Sequence, residues 1–325
     1  MRAAWYDRQG PAAEVLQVGE LPDPEPGEGE VRVRLTRSGV NPGDVKKRQG
    51  GTGSGMPYRR VVPHSDGAGV VDAVGPGADR GRVGQRVWVY GAQSYRPCGT
   101  AAEATVVPER LAVPLPDQVS DDVGASLGIP GITAHRAVFR DGPVRGKRVL
   151  VQGVLGAVGS LAAQLARWDG ATVIGTVRRM SDVRDVPPGV ADHVVALDGA
   201  DPATQIRDLS GEGVDRIIEV ALSANAELDS RVVAPDAVIA VYSSPQGQPG
   251  LPFWPLLYAN ATLRLLGSDN FPREARQAAV RDLTTLAAAD ALTIAIGGVC
   301  ALEEVAAAHR AVESGSRGRI LVGLS

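Results

Sequence analysis

Val149-Leu150-Val151-Gln152-Gly153-Val154-Leu155-Gly156-Ala157-Val158-Gly159 runs from an apolar strand through a glycine turn into the helix-like stretch Ser160 to Trp168. A dinucleotide pyrophosphate binds at such a junction. Gly153 permits the tight turn off the strand, Gly156 lets backbone amides approach the phosphates with no side chain between, and Gly159 lets the new helix pack on the sheet. The first helical N–H groups, those of Ala157 and Val158 among them, have no intrahelical partner and face the anion. Glycine spacing alone is a weak signal in a chain with 40 glycines. The next strand carries the weight.

That strand, Ala171 to Val177, contains Thr176 and ends where the residue that reads the adenosine ribose should stand. An NAD enzyme wants an acid there, whereas this chain offers Arg178 and Arg179, with no carboxylate until Asp182. A carboxylate would accept from the ribose 2′-hydroxyl and repel a 2′-phosphate; guanidinium groups clamp that phosphate with charge-assisted bonds. NADP is favoured over NAD. A solvated arginine pair is the alternative, since only Lys46, Lys47 and Lys147 among the 34 basic side chains are lysines.

At 325 residues the chain suggests two domains. The net charge of −3 leaves no electrostatic footprint for nucleic acid or an anionic membrane, so a small neutral or anionic substrate is expected. The start, Met1 to Arg8, lacks the apolar core of a signal peptide, and no uninterrupted apolar run reaches the roughly 18 residues of a membrane span. A soluble, cytoplasmic protein is the expectation. Cys98 and Cys300 are too few for a disulfide framework, and with four histidines too few for a Cys-rich zinc site.

Residues 1 to 125 look like short strands between turns, Val31 to Leu35 alternating with period two. From 126 the period changes to strands at 149–152, 172–177, 193–197, 215–220 and 237–242, with helices at 157–168 and around 225–232 and a possible sixth strand at Leu263 to Gly267. That alternation predicts an α/β fold with a doubly wound parallel sheet. Pro187 and Pro188 should truncate the helix between the second and third strands. The helices Ala275 to Ala289 and Leu302 to Ser314 and the strand Arg319 to Val322 are not needed by that sheet. They return to the first domain, giving 1–125 plus 269–325 as a β-rich domain and 126–268 as an inserted nucleotide domain. Gly50 to Gly55 reads as a mobile loop.

The start "MRAAWYDRQGPAAEVLQVGELPDPEPGEGEVRVRLTRSGVNPGDVKKRQG", the stretch "VVPHSDGAGVVDAVG", the turn "GVLGAVG" and the end "GRILVGL" together resemble the zinc-free, zeta-crystallin-like quinone oxidoreductases of the medium-chain dehydrogenase/reductase superfamily. The likeness runs over essentially the whole chain. It implies a GroES-like β-rich catalytic domain, a Rossmann domain, NADPH as hydride donor and a homodimer or homotetramer. In zinc alcohol dehydrogenases of the superfamily a cysteine stands where this chain has Asn41, and their zinc-binding Gly-His-Glu segment aligns with His64-Ser65-Asp66. Catalytic zinc needs about three protein ligands plus an open position, which Asn41, Ser65 and Cys98 do not supply, so no metal is expected. Hydride must then go to an acceptor already polarised by conjugation, a quinone or an α,β-unsaturated carbonyl. The protein has only to hold that acceptor and donate hydrogen bonds to the oxygen that gains charge. Quinone reduction is the first reading, enoyl or 2-alkenal reduction the second, and an NADPH-binding structural protein the third.

Carried over from the family, Asn41 contacts substrate or the nicotinamide amide, and Asp44 follows one turn later, either in catalysis or as a cap of the helix Val45 to Arg48. Related enzymes often place a tyrosine two residues after this acid, where the chain has Lys46. Tyr58 is a candidate donor or pocket wall, or else a packed loop tyrosine. Thr133 matches a position near the nicotinamide, or is a plain helix residue. Tyr242 and Ser243 close the fifth strand, where ligands of doubly wound sheets lie. Arg319 touches the phosphates or caps the last strand. In a chain with four tryptophans, six tyrosines and three phenylalanines, Phe253, Trp254, Tyr258 and Phe271 crowd together. They mark a subunit interface or a substrate pocket, with Asn270 and Phe271 as the pocket members. His64, His135, His193 and His309 read as separate structural histidines.

Overall fold

The computed structural model describes residues 1–51 and 55–324, so the loop expected at Gly50 to Gly55 falls largely on residues 52–54, outside the described set. The chain divides into two compact units, Met1–Pro130 with Val280–Ser325, and Gly131–Ala279. The first crossing falls after Pro130, and the second lies later than residue 269 for a packing reason. Phe271 is buried beneath the Arg136 guanidinium, 6.0 Å from its ring centre, within the second unit. The chain therefore leaves that unit only along the helix Arg273–Ala288.

Six parallel strands form the sheet of the second unit, in the order His193–Ala196, Thr172–Val177, Arg148–Val151, Val214–Glu219, Val233–Val241, Thr262–Leu265. Strand order reverses beside Arg148–Val151, the switch point at which doubly wound sheets take their ligands. Val149, Leu150, Val151, Ile174, Ile217 and Ile218 are fully buried, since the central strands of a parallel sheet have no wet face. Between the second and third strands Pro187 and Pro188 leave only a 3₁₀ turn, Met180–Asp185, in place of a helix.

In the first unit the long strand Glu30–Val40 is the spine of a seven-stranded sheet, pairing antiparallel with Asp66–Val74, Ala104–Pro108 and the closing strand Arg319–Gly323. Val31, Val33 and Leu35 are buried, while Arg32 and Arg34 turn outward and share the Asp72 carboxylate at 2.9 Å each. Nothing in the sequence pattern announces the strand Ile296–Ala301. Gly297 and Gly298 read as a turn, and an edge strand half open to water shows no clean alternation.

A line of polar side chains, each fully buried, crosses this unit. Arg48 Nε donates to His309 Nδ1 (3.3 Å), His309 and His64 meet Nε2 to Nε2 (2.9 Å), and His64 Nδ1 meets Ser38 Oγ (2.8 Å). Ser38 Oγ meets Thr100 Oγ1 (2.8 Å), and Thr100 donates to the backbone oxygen of Asp66 (2.6 Å). The two ends fix the direction of every bond. A guanidinium only donates and a carbonyl only accepts, so His309 carries its proton on Nε2, His64 on Nδ1, and Ser38 donates to Thr100. Both imidazoles are neutral. Burial pushes His309 down to about 3, with the Arg48 cation adding to the effect. Burial likewise holds His64 well below the histidine range, with His309 and Arg319 adding to it. The two histidines are thus not separate structural residues but one stacked pair, with ring centres 5.1 Å apart. The pair holds His64 at φ 74°, in the left-handed region that non-glycine residues avoid.

Unfolded histidines take up protons from about pH 6.5 downward, whereas folded His309 resists until about 3. The stability these rings contribute is therefore complete above the unfolded value and is lost as the pH falls toward the folded one. Urea titrations over that range should show the decline. Nitrogen NMR near neutral pH should find His64 protonated at Nδ1 and His309 at Nε2; a doubly protonated ring or the reverse tautomers would contradict the network.

Candidate active site

The glycine turn sits at the C-terminal edge of the parallel sheet. Gly153 adopts φ 70°, and a Cβ on Gly159 would stand 2.4 Å from the Gly153 carbonyl oxygen, so the turn and helix can close on each other only without side chains there. The helix Ala157–Trp168 starts from Gly156, which has no side chain to cap it. The N–H groups of Ala157, Val158 and Gly159 are the open donors at its N-terminus, and Gly156 is exposed before them. An anion fits this cradle. Gly153 itself spends its N–H inside the protein, on Thr176 Oγ1 at 3.1 Å, and Val154 N–H goes to the Thr176 carbonyl at 3.0 Å. Thr176 is fully buried and clamps the turn from beneath.

Arg178 and Arg179 follow directly on that strand and are both exposed. Among the described residues neither guanidinium has a hydrogen-bond or ion-pair partner. Tyr242 and Ser243 lie just past the fifth strand on the same edge of the sheet, so the structure brings Gly153, Gly156, Thr176, Arg178, Tyr242 and Ser243 together along it. Burial raises the Tyr242 hydroxyl above the usual tyrosine range, and the charge of Glu219 adds to it.

Under the turn runs a set of groups that motif reasoning passes over. Thr176 Oγ1 donates to Gln152 Oε1 (2.7 Å), and Gln152 Nε2 donates to Asp229 Oδ1 (2.8 Å). Asp229 neighbours Glu219, whose carboxylate accepts from the Ala221 N–H and from Asn225 Nδ2 at 3.1 Å to each oxygen. Gln152, Glu219 and Asp229 are fully buried. Burial raises both acids, Asp229 well above the carboxylate range, and the charge of Glu219 lifts Asp229 further.

In the first unit Asn41 begins the helix Pro42–Gln49, and the Asp44 carboxylate accepts from its backbone N–H at 2.8 Å. Asp44 is therefore the third-residue partner in a capping box rather than a cap of a helix from 45 to 48. Burial pushes its carboxyl up to about 7; Lys47 opposes the shift, Asp66 adds to it, and Arg319 also opposes it. Asn41 Nδ2 donates to Asp66 Oδ2 (2.8 Å), and its Oδ1 accepts from Arg319 (2.8 Å). One amide N–H remains. Arg319 neither caps the last strand nor offers itself to a phosphate: it is buried and donates to Val40 O (3.1 Å), Ala125 O (3.2 Å) and Asp66 Oδ2 (3.4 Å). Its cation sits where Asn41 and Asp66 meet. Sequence motifs contain all three residues but not their convergence.

Tyr58 packs against Tyr6, Val15 and Val61, and its hydroxyl donates to the Tyr95 carbonyl, so the packed-loop alternative describes it rather than a free donor. Thr133 is buried in the helix Ile129–Phe139. The aromatic cluster splits. Phe253, Trp254 and Tyr258 stand exposed on the short helix Phe253–Tyr258, Phe271 is buried under Arg136, and Asn270 is exposed in the turn Ser268–Asn270. Among the described residues no group of three or more His, Cys, Asp or Glu converges as a metal-ligand set, and no helix is long and apolar enough to cross a membrane.

Known proteins share this architecture. The alcohol dehydrogenase GroES-like domain family matches residues 27–117, and the zinc-binding dehydrogenase family matches residues 157–285. The quinone oxidoreductase of Rattus norvegicus is 33% identical over 231 residues, covering 70% of this chain and 68% of that protein. Among solved structures, an NAD-dependent alcohol dehydrogenase superposes with a TM-score of 0.89 at 28% identity, covering 100% of both chains. Mycobacterial Rv1454c, complexed with NADPH, superposes with a TM-score of 0.86 at 27% identity, covering 99% of each. With a GroES-like unit, an inserted parallel-sheet unit and these relatives, the chain belongs to the quinone oxidoreductases of the medium-chain dehydrogenase/reductase superfamily.

Proposed function

We propose that the protein is an NADPH-dependent reductase that passes hydride to a quinone without zinc. The observation that carries this reading is the open helix N-terminus after Gly156 beside two exposed, unpaired arginines. The helix donors suit the pyrophosphate and Arg178 and Arg179 suit a 2′-phosphate, which NADPH has and NADH lacks. The mycobacterial relative complexed with NADPH supports the choice. NADPH, when bound, supplies the hydride.

The zinc-free reading rests on Arg319. Its guanidinium already neutralises Asp66 and engages Asn41, so a divalent cation at those two residues would meet a buried positive charge. The remaining Asn41 N–H can stabilise an acceptor oxygen as it gains charge. Asp44, with its carboxyl near 7, can give or take a proton in the neutral range. A quinone needs no more than this, because its own conjugation makes it electrophilic.

The protein works as a homo-oligomer built on the edge strand Thr262–Leu265, where Leu265 is 72% exposed beside the Phe253, Trp254 and Tyr258 surface. An edge strand with exposed apolar side chains is a pairing hazard unless a second copy covers it. Both cysteines are free thiols, which suits the reducing cytoplasm.

Replacing Arg178 and Arg179 together with alanine should raise the KM for NADPH by roughly tenfold or more, the size of a lost charged hydrogen bond, and leave that for NADH nearly unchanged; equal effects on both would refute the phosphate role. In a panel of acceptors, quinones should drive NADPH oxidation faster than 2-alkenals, and turnover confined to alkenals would overturn the quinone assignment. Trp254→Glu should convert the oligomer to monomers in sedimentation experiments. An unchanged sedimentation coefficient would place the interface elsewhere.

A further inference from the structure

Two acids lie beneath the glycine turn with no compensating cation. Among the described residues neither Glu219 nor Asp229 has an ion-pair partner, and both are fully buried. The groups that face them are each other, Tyr242 past the fifth strand, and the neutral amides of Gln152 and Asn225. Neighbouring carboxylates out of reach of water do not both ionise.

Hydrogen bonding decides which of them holds the proton. Glu219 receives donations from Ala221 N–H and from Asn225 to both of its oxygens. Asp229 receives only the Gln152 amide, on Oδ1; its Oδ2 is buried with no N–H or O–H directed at it and has Glu219 as its acidic neighbour. The charged form belongs on the better-served acid.

We propose that Asp229 is held as the neutral acid, donating its Oδ2 proton to Glu219, and that this shared proton sets the glycine turn for NADPH through Gln152 and Thr176. The inference rests on the NADPH reading above. The path is short and its polarity is determined. Gly153 N–H donates to Thr176, Thr176 to Gln152 and Gln152 to Asp229, and the proposed proton on Asp229 extends the path to Glu219. One negative charge rather than two then lies under the site of a pyrophosphate. When Asp229 loses its proton, repulsion parts the two carboxylates, Gln152 follows, and the hold of Thr176 on Gly153 loosens while a second anion faces the phosphates. Because the proton stays on in the folded protein far above the ordinary carboxylate range, this arrangement is intact at lower pH and is lost as the pH rises. Asp229 is thus a positioning residue.

Asp229→Asn tests the idea without disturbing shape, since its carbonyl can accept from Gln152 and its amide can donate to Glu219 as the proton does. NADPH Kd, followed by cofactor fluorescence, should weaken for the native protein on the alkaline side. For D229N it should stay within about twofold of native at neutral pH and lose the alkaline fall, while D229A should bind roughly tenfold more weakly throughout. Infrared spectra should show, beside the band of Asp44, a second protonated-carboxyl band in the native protein that D229N lacks. The proposal is overturned if D229N keeps the same alkaline fall, if it binds as poorly as D229A, or if the two infrared spectra coincide. Failure of the native protein to bind NADPH at any pH would instead overturn the cofactor reading, and this inference with it.

Discussion

A buried donor without an acceptor is costly, and the polar lines in both units of this protein are arranged around that cost. Removing a partner from a buried polar group costs more than the bond itself contributes. The polar residues under each site therefore form lines with a determined direction. In the first unit the line begins at a guanidinium and ends at a carbonyl, so both histidines between them have a single possible protonation state. In the second unit it begins at a backbone N–H and ends at a carboxylate, and its last link needs a proton that one acid must keep.

These lines stiffen what lies above them. Thr176 holds the turn that presents the helix N-terminus, and the Thr100 bond fixes the backbone at Asp66, whose side chain holds Asn41. Preorganised donors stabilise developing charge without reorganising during reaction. Arg319 belongs to the same logic. It brings a positive charge to the meeting point of Asn41 and Asp66 from a strand far away in sequence.

Much of the fold is legible in the chain. The central parallel strands carry apolar runs such as Val149-Leu150-Val151 and Val238-Ile239-Ala240-Val241, the glycine spacing marks the turn from strand to helix, and Pro187 and Pro188 explain a missing helix. The strand Ile296–Ala301 escapes because its glycines and its edge position erase the periodic signal. The candidate site is less legible. Arg178 and Arg179 can be read from their place after a strand, but Gln152, Glu219 and Asp229 belong to no motif, and Arg319 suggests a phosphate contact until its buried partners are seen.

The sequence by itself determined the class of fold, the glycine turn and the arginines that follow the next strand, because these depend on local backbone chemistry and on residues adjacent in the chain. Only the tertiary structure decided which polar groups meet. His64 and His309, Asn41 and Arg319, and Glu219 and Asp229 are joined by packing of separate elements. Protonation follows from such neighbours and from burial, and neither is a property of a residue's place in the sequence.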